Sequence, residues 1–353
     1  MPSYGRLGLL SGSISLDSSL KIEDIVEVVL KVEGRIKLNI SGSNAVSKTV
    51  KTVDEQYELW SCHAPNSSNP ATCSRIIPFS TVLPPTFKDG DREFPLPPSY
   101  EVNFTGIPGL YIKCTYAIRA IVKMHGSFWD RKKTVSTPFI YRPRKRPPQP
   151  VIPTGFISTV KSSPEEWFQS VSVLQSRPST KLESIHASFF VPAVRSFGLR
   201  DSIPYHIQLS GSIASLKEFY SHVQLEPSTS SGRRSNNLTL TMTVSLRRQV
   251  RAEMKSQAVW KSSLIGSGTL TALPPSMEID PCLSQSSQEM TLDWEGHVQC
   301  RDDIRVGHFD AGKIAVADFL VFSVLSKPNQ AAFNSLRIVV PVSLVTDTWV
   351  ESR

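Results

Sequence analysis

Residues 238–246 read Leu-Thr-Leu-Thr-Met-Thr-Val-Ser-Leu, with an apolar side chain at every even position and a hydroxyl at every odd one. Such a pattern predicts a β-strand with one dry face and one wet face, because successive side chains in a strand point to opposite sides of the sheet. The same period recurs at Ile112, Cys114, Tyr116, Ile118, Ala120 and Val122, with Lys113, Thr115, Arg119 and Lys123 on the opposite face. A third stripe runs through Val26, Val28, Leu30 and Val32 into Ile36, Leu38 and Ile40. Near the C-terminal end, Pro341 interrupts the run from Ile338 to Leu344, and a proline there predicts an edge strand or a bulge. Helical signals are short. Ala214–Tyr220 offers a turn or two, and Ser163–Phe168 a capped turn with proline at its first helical position, neither long enough to cover a sheet. The 26 prolines and 18 glycines fall mostly between apolar segments, so the predicted fold is all-β, made of antiparallel sandwiches.

A chain of 353 residues suggests about two domains. One stretch separates them in the sequence: Tyr141-Arg142-Pro143-Arg144-Lys145-Arg146-Pro147-Pro148-Gln149-Pro150 has no apolar period and favours extended polyproline geometry. The expected organisation is a sandwich over residues 1–142, a basic proline-rich linker over 143–153, and a second sandwich over 154–353. Polar stretches at 66–72 and 226–237 read as long loops inside those domains.

The balance of 39 Lys+Arg against 31 Asp+Glu gives a formal charge of +8, compatible with acidic partners but selective for none. Five cysteines, odd in number and without a C-x-x-C pair, argue against a disulfide scaffold or a structural zinc site. They favour a reducing compartment. No apolar run approaches the roughly 18–20 residues of a membrane span, and the start has no leader-like apolar segment, so a cytoplasmic location is expected. On that reading the four N-x-Ser/Thr sequons at Asn39, Asn66, Asn103 and Asn237 are chance.

Motifs with chemical content are scarce. Gly307-His308-Phe309-Asp310-Ala311-Gly312-Lys313 imitates a phosphate loop, but Ile314 stands where a magnesium-binding Ser or Thr belongs, so it reads as a turn before a strand. The seven histidines show no metal-ligand spacing and read as surface or half-buried residues. Cys62-His63 reads as a free thiol in a polar loop, and Glu165-Glu166 and Asp302-Asp303 as solvated turns. No catalytic constellation emerges, and no cofactor, metal or small-molecule substrate is expected. Two peptide motifs remain. Arg144–Pro150 fits a basic residue followed by P-x-x-P, an SH3-type ligand, and the same cluster could meet lipid phosphate. Pro97-Pro98-Ser99-Tyr100 fits the WW-domain ligand P-P-x-Y, yet it abuts Val102 and Phe104 and reads as structural.

Several segments, in order, resemble the arrestin-domain family, most closely the fungal arrestin-like proteins. In the first half these are Ile25–Gly34, a strand closing on glycine, then Ile77-Pro78-Phe79-Ser80, Phe94–Tyr100 and Tyr116–Ala120. In the second half they are Phe189-Phe190-Val191-Pro192, Leu199–Pro204, Val244–Val250, Leu292-Asp293-Trp294-Glu295-Gly296, Val316–Leu320 and Val340–Asp347. The resemblance implies two immunoglobulin-like sandwich domains; only eleven residues precede Gly12, so either the first domain lacks an opening strand or the chain starts late. It also implies a non-enzymatic adaptor for cytoplasmic tails of membrane proteins in trafficking or endocytosis, with ubiquitin-ligase components as further partners. Arg142, Arg144, Lys145 and Arg146 are the candidate contacts to anionic membrane or partner. The other reading is a basic sandwich that binds nucleic acid, which the aromatic-poor basic clusters at 142–146, 233–234 and 247–251 disfavour.

Overall fold

The computed structural model describes residues 1–42, 45–62, 72–125, 131–151, 156–225, 239–254, 257–274, 289–327 and 331–350. The protein is all-β, with 63% of residues in strands and 7% in helices. Contacts divide it into two compact units: Met1–Arg144 with Val250–Lys261 and Phe309–Ala315, and Lys145–Gln249 with Ser262–His308 and Val316–Arg353. The expected loops at 66–71 and 226–237, together with His63, lie outside the described residues.

The first unit contains β1 (Ser3–Tyr4), β2 (Leu9–Ser15), β3 (Ile25–Ser41), β4 (Val46–Ser61), β5 (Ile76–Val82), β6 (Thr86–Asp89), β7 (Arg92–Pro95), β8 (Tyr100–Phe104), β9 (Gly109–Met124) and β10 (Arg131–Tyr141). One sheet runs β1-β10-β9-β3-β4, with β8 also on β9; β2 pairs with β5, and β6 with β7. The residues before Gly12 therefore supply β1 and the start of β2. β3 does not close at Gly34 but continues to Ser41, and the bulge at that point lies in β4: Gly34 faces Val53 while Arg35 faces Lys51, leaving Thr52 unpaired. Its even-numbered residues Leu30, Val32, Ile36, Leu38 and Ile40 are all buried, as the alternation requires.

Beyond β10 the chain continues with a one-turn helix α1 (Phe156–Thr159), β11 (Trp167–Leu174), β12 (Ile185–Pro192), β13 (Ser196–Gly198), β14 (Ser202–Ser212), helix α2 (Ile213–His222), β15 (Val223–Leu225), β16 (Leu240–Met254), β17 (Gln257–Ser267), β18 (Thr271–Ala272), β19 (Glu289–Gln299), β20 (Phe309–Asp310), β21 (Ile314–Ser326) and β22 (Leu336–Val345), of which β20, the end of β16 and the starts of β17 and β21 belong to the first unit. A five-stranded sheet, β11-β12-β14-β19-β18, faces a sheet ordered β13-β22-β21-β16-β15, with β17 and β20 on its flanks. Their inner faces share one core, in which the Phe189 ring lies 5.8 Å from that of Phe322. Leu240, Met242, Val244 and Leu246 all point into it. Pairing is not wholly antiparallel. The short strands β1, β13 and β15 add in parallel to β10, β22 and β16, each arriving by a connection long enough to reverse direction. Pro341 is tolerated because β13 meets β22 only from Ser343 onward. Ser343 donates its N–H to Arg195, so the side on which Pro341 has no N–H carries no partner strand among the described residues.

Candidate functional site

The first unit's second layer is narrower than its first, and the mismatch leaves a cleft between them. Two strands, β2 and β5, lie over a sheet of six. They leave an apolar cleft of about 540 Å³ between the layers. Its floor is the inner face of the large sheet: Leu30 from β3, Ile118, Ala120 and Val122 from β9, and Val135, Thr137 and Phe139 from β10. Its roof is β2 with Leu16, Leu20 and Phe79. Phe79 can lie flat over β2 because its register partner is Gly12, where a Cβ would come within 2.9 Å of the ring. The cost of the narrow roof is visible in exposure. Val135 is 67% exposed although it sits on the inner face, and Ile118 and Ala120 are only half-buried.

The cleft opens beside an unfinished edge. On β10 the even-numbered residues turn their backbone groups away from β9: Ile140 donates its N–H to Pro2 at 2.9 Å and Arg142 to Tyr4 at 2.8 Å. β1 covers only Ile140 and Tyr141. Among the described residues no strand pairs with the outer side of Arg131–Phe139, so Lys132, Thr134 and Ser136 present their N–H groups outward. Pro138 has no N–H to present, a common restraint on edge strands.

Charge around the cleft is nearly balanced. Among the described residues, Lys133 and Asp17 are the only ionisable acid–base pair lining it. Hydrogen bonds from the Ser19 hydroxyl and then its backbone N–H hold the Asp17 carboxyl below its ordinary range, with the charges of Lys133 and Arg75 adding to them. On the outer face of the same sheet Glu33, only 7% exposed, lies 3.3 Å from Lys31, 2.9 Å from Arg35 and 3.2 Å from Arg119. Together with Lys51 and Asp54 that ladder sets four cations against two carboxylates and keeps a net positive charge on the outer face. The run Arg131-Lys132-Lys133, exposed at the start of β10, gives the edge itself a positive end.

The residues singled out in the sequence lie elsewhere. Arg142, Arg144, Lys145 and Arg146 have exposed side chains, and none lines the cleft. Around them the backbone is anchored: Lys145 donates its N–H to Thr346 Oγ1 at 2.8 Å, and its carbonyl accepts from Asp347 N–H at 3.0 Å. Pro147 is buried. Pro97 and Pro98 are buried too, the Pro97 carbonyl accepting from the Tyr116 hydroxyl at 2.6 Å. Tyr100 opens β8 half-buried, its ring edge-on to Phe309 at 5.5 Å, so the P-P-x-Y segment is held in the fold and not offered to a WW domain. The imitation phosphate loop is a turn, with Gly312 at φ 72° and Lys313 paired to Asp89 at 2.5 Å.

One histidine departs from expectation. His206 is 1% exposed, its Nε2 2.8 Å from Asp293 Oδ1 and its ring stacked on Phe156 at 4.0 Å. It is buried because α1, invisible in the sequence pattern, lays Phe156 over the outer face of β14. Among the described residues no three His, Cys, Asp or Glu side chains gather in metal-binding geometry. The sequence reading also missed the inner face of β10. Its only signals were the weak alternation Val135, Thr137, Phe139 and the proline at 138.

No protein-family model matches this chain, and no curated protein matches it. No helix among the described residues is long and apolar enough to cross a membrane.

Proposed function

We propose that this chain is a non-enzymatic, arrestin-like adaptor of two immunoglobulin-like sandwich domains, which captures extended segments from cytoplasmic regions of membrane proteins. The observation that carries this reading is the β10 edge, with outward N–H groups at Lys132, Thr134 and Ser136 beside an open apolar cleft. A peptide added to such an edge gains main-chain hydrogen bonds whatever its sequence, and side-chain pockets supply the selection. The cations Arg131, Lys132 and Lys133 favour acidic tails. Arg142, Arg144, Lys145 and Arg146 add attraction to anionic lipid, keeping the adaptor near its cargo at the cytoplasmic membrane face. Ubiquitin-ligase components as further partners follow from the family resemblance.

Affinity purification of the full chain from cells, compared with Ser136→Pro, tests the reading. The substitution removes one outward N–H at a position where proline costs the fold little. Integral membrane proteins should be recovered with the parent and lost with the variant. Equal recovery would remove the edge from the mechanism, and a partner set without membrane proteins would remove the adaptor.

A further inference from the structure

We propose that the cleft behind β10 selects partner strands bearing two or three large apolar residues at alternate positions, and that it does not read phosphate. This rests on the strand-addition reading above. A strand laid along Lys132–Ser136 would alternate its side chains as β10 does, sending every second one to the inner face, where Val135 and Thr137 already point into the cleft.

Volume sets the number of residues. A cavity of roughly 150 Å³ is filled by one benzene ring. The cleft holds about 540 Å³, too much for a single side chain and suited to a short alternating row. Chemistry sets their kind. Leu30, Phe79, Ile118 and Ala120 form the walls, and among the described residues the one lining cation, Lys133, acts on the one lining carboxylate, Asp17. A phosphate placed there would lose its hydration without meeting an uncompensated cation, whereas an apolar side chain would cover Val135, Ile118 and Ala120. A second copy of the chain is a poor occupant. Net charge is +8, and consecutive cations at Arg131–Lys133 together with Pro138 are the usual guards against edge-to-edge pairing.

Fluorescence anisotropy with the full chain and three labelled peptides tests this. The peptides share one extended acidic host sequence and differ at three alternate positions: leucine, serine, or serine with the central one phosphorylated. The leucine peptide should bind at least about tenfold more tightly than the serine peptide, since each buried leucine is worth a tenfold gain or more. Phosphorylation should bring no gain. Thr137→Trp, at an exposed position, should fill the cleft and cost the leucine peptide about tenfold while leaving the serine peptide unchanged. Val135→Gln, also exposed and without a charge, should do the same and guards against a folding defect in the first variant, with circular dichroism as the check. Equal binding of the leucine and serine peptides, or tighter binding of the phosphopeptide, would overturn the inference while sensitivity to Ser136→Pro kept the edge itself. Self-association that competes with peptide would assign the edge to a second copy and also overturn it. If no peptide binds, inference and edge reading fail together.

Discussion

Gly34 is where a missing Cβ decides the packing of a whole layer. A Cβ there would stand 2.5 Å from Thr52 Oγ1 and 2.7 Å from the Tyr116 ring, the ring whose hydroxyl reaches Pro97. Gly34→Ala should therefore cost about 1–3 kcal/mol by overpacking, read as a lower urea midpoint; an unchanged midpoint would mean the bulge gives way. The buried pair in the second unit is the other residue-scale constraint. Arg248 donates to Asp318 at 2.7 and 3.0 Å and to the Val306 carbonyl at 2.7 Å, with Arg248 and Asp318 only 3% and 1% exposed. Asp318→Ala leaves a guanidinium buried and uncompensated and should cost about 3–5 kcal/mol, while a shape-matched apolar pair at 248 and 318 should cost far less. Denaturant titration of the two variants separates these outcomes. Thiols follow burial in the same way. Burial pushes Cys114 up to about 12 and Cys300 up to about 11, so at pH 8 neither holds much reactive thiolate. A thiol reagent should spare both until the chain unfolds; labelling of Cys114 in the native protein would contradict its place in the core.

At the scale of elements, the helix legible at Ala214–Tyr220 is longer than its sequence suggested and does cover part of a sheet. Ser212 caps it by accepting from the Ser215 N–H, and Leu216 and Phe219 enter the core, Phe219 edge-on to Trp294 at 6.2 Å. Phe219→Ala should cost about 3–5 kcal/mol, since its fully buried ring packs against both Trp294 and Phe333, and loss of under 1 kcal/mol in a melt would show the helix to be decorative. The hairpin β3–β4 carries a pH-dependent element. Lys31 first, then Lys51, hold the Asp54 carboxyl at about 2, down from its ordinary 3.8. A carboxylate depressed on folding stabilises the native state above its unfolded pKa, and that contribution fades as pH falls from near 4 toward 2. Asp54 is about one-third exposed, so the effect is modest. Urea midpoints taken from pH 5 to pH 2.5 should fall more steeply in the parent than in Asp54→Asn.

On the scale of the whole molecule, the exposed cluster Arg142, Arg144, Lys145 and Arg146 contributes through side chains alone, because Lys145 is anchored by its backbone. Changing all four to glutamate should leave the thermal midpoint unchanged. Binding to anionic vesicles at low salt should drop several hundredfold, at on the order of 1 kcal/mol per charge. Equal sedimentation of parent and variant would take membrane attraction away from this segment. By itself the sequence determined the strongly alternating strands and which of their faces are apolar, since alternation is a local property of each strand: Leu240, Met242 and Val244 are buried as their spacing required. Only the tertiary structure decided how fully those faces are covered. Ile118 and Ala120 belong to the same stripe as Ile112 and Cys114 yet remain half-buried, because β2 and β5 stop short of β10. His206 gives the opposite case, a polar residue buried by the one-turn helix that lays Phe156 on it. Coverage, edge exposure and the cleft between layers depend on partners far apart in the chain, and a periodicity read over a few residues carries no information about where a facing layer ends.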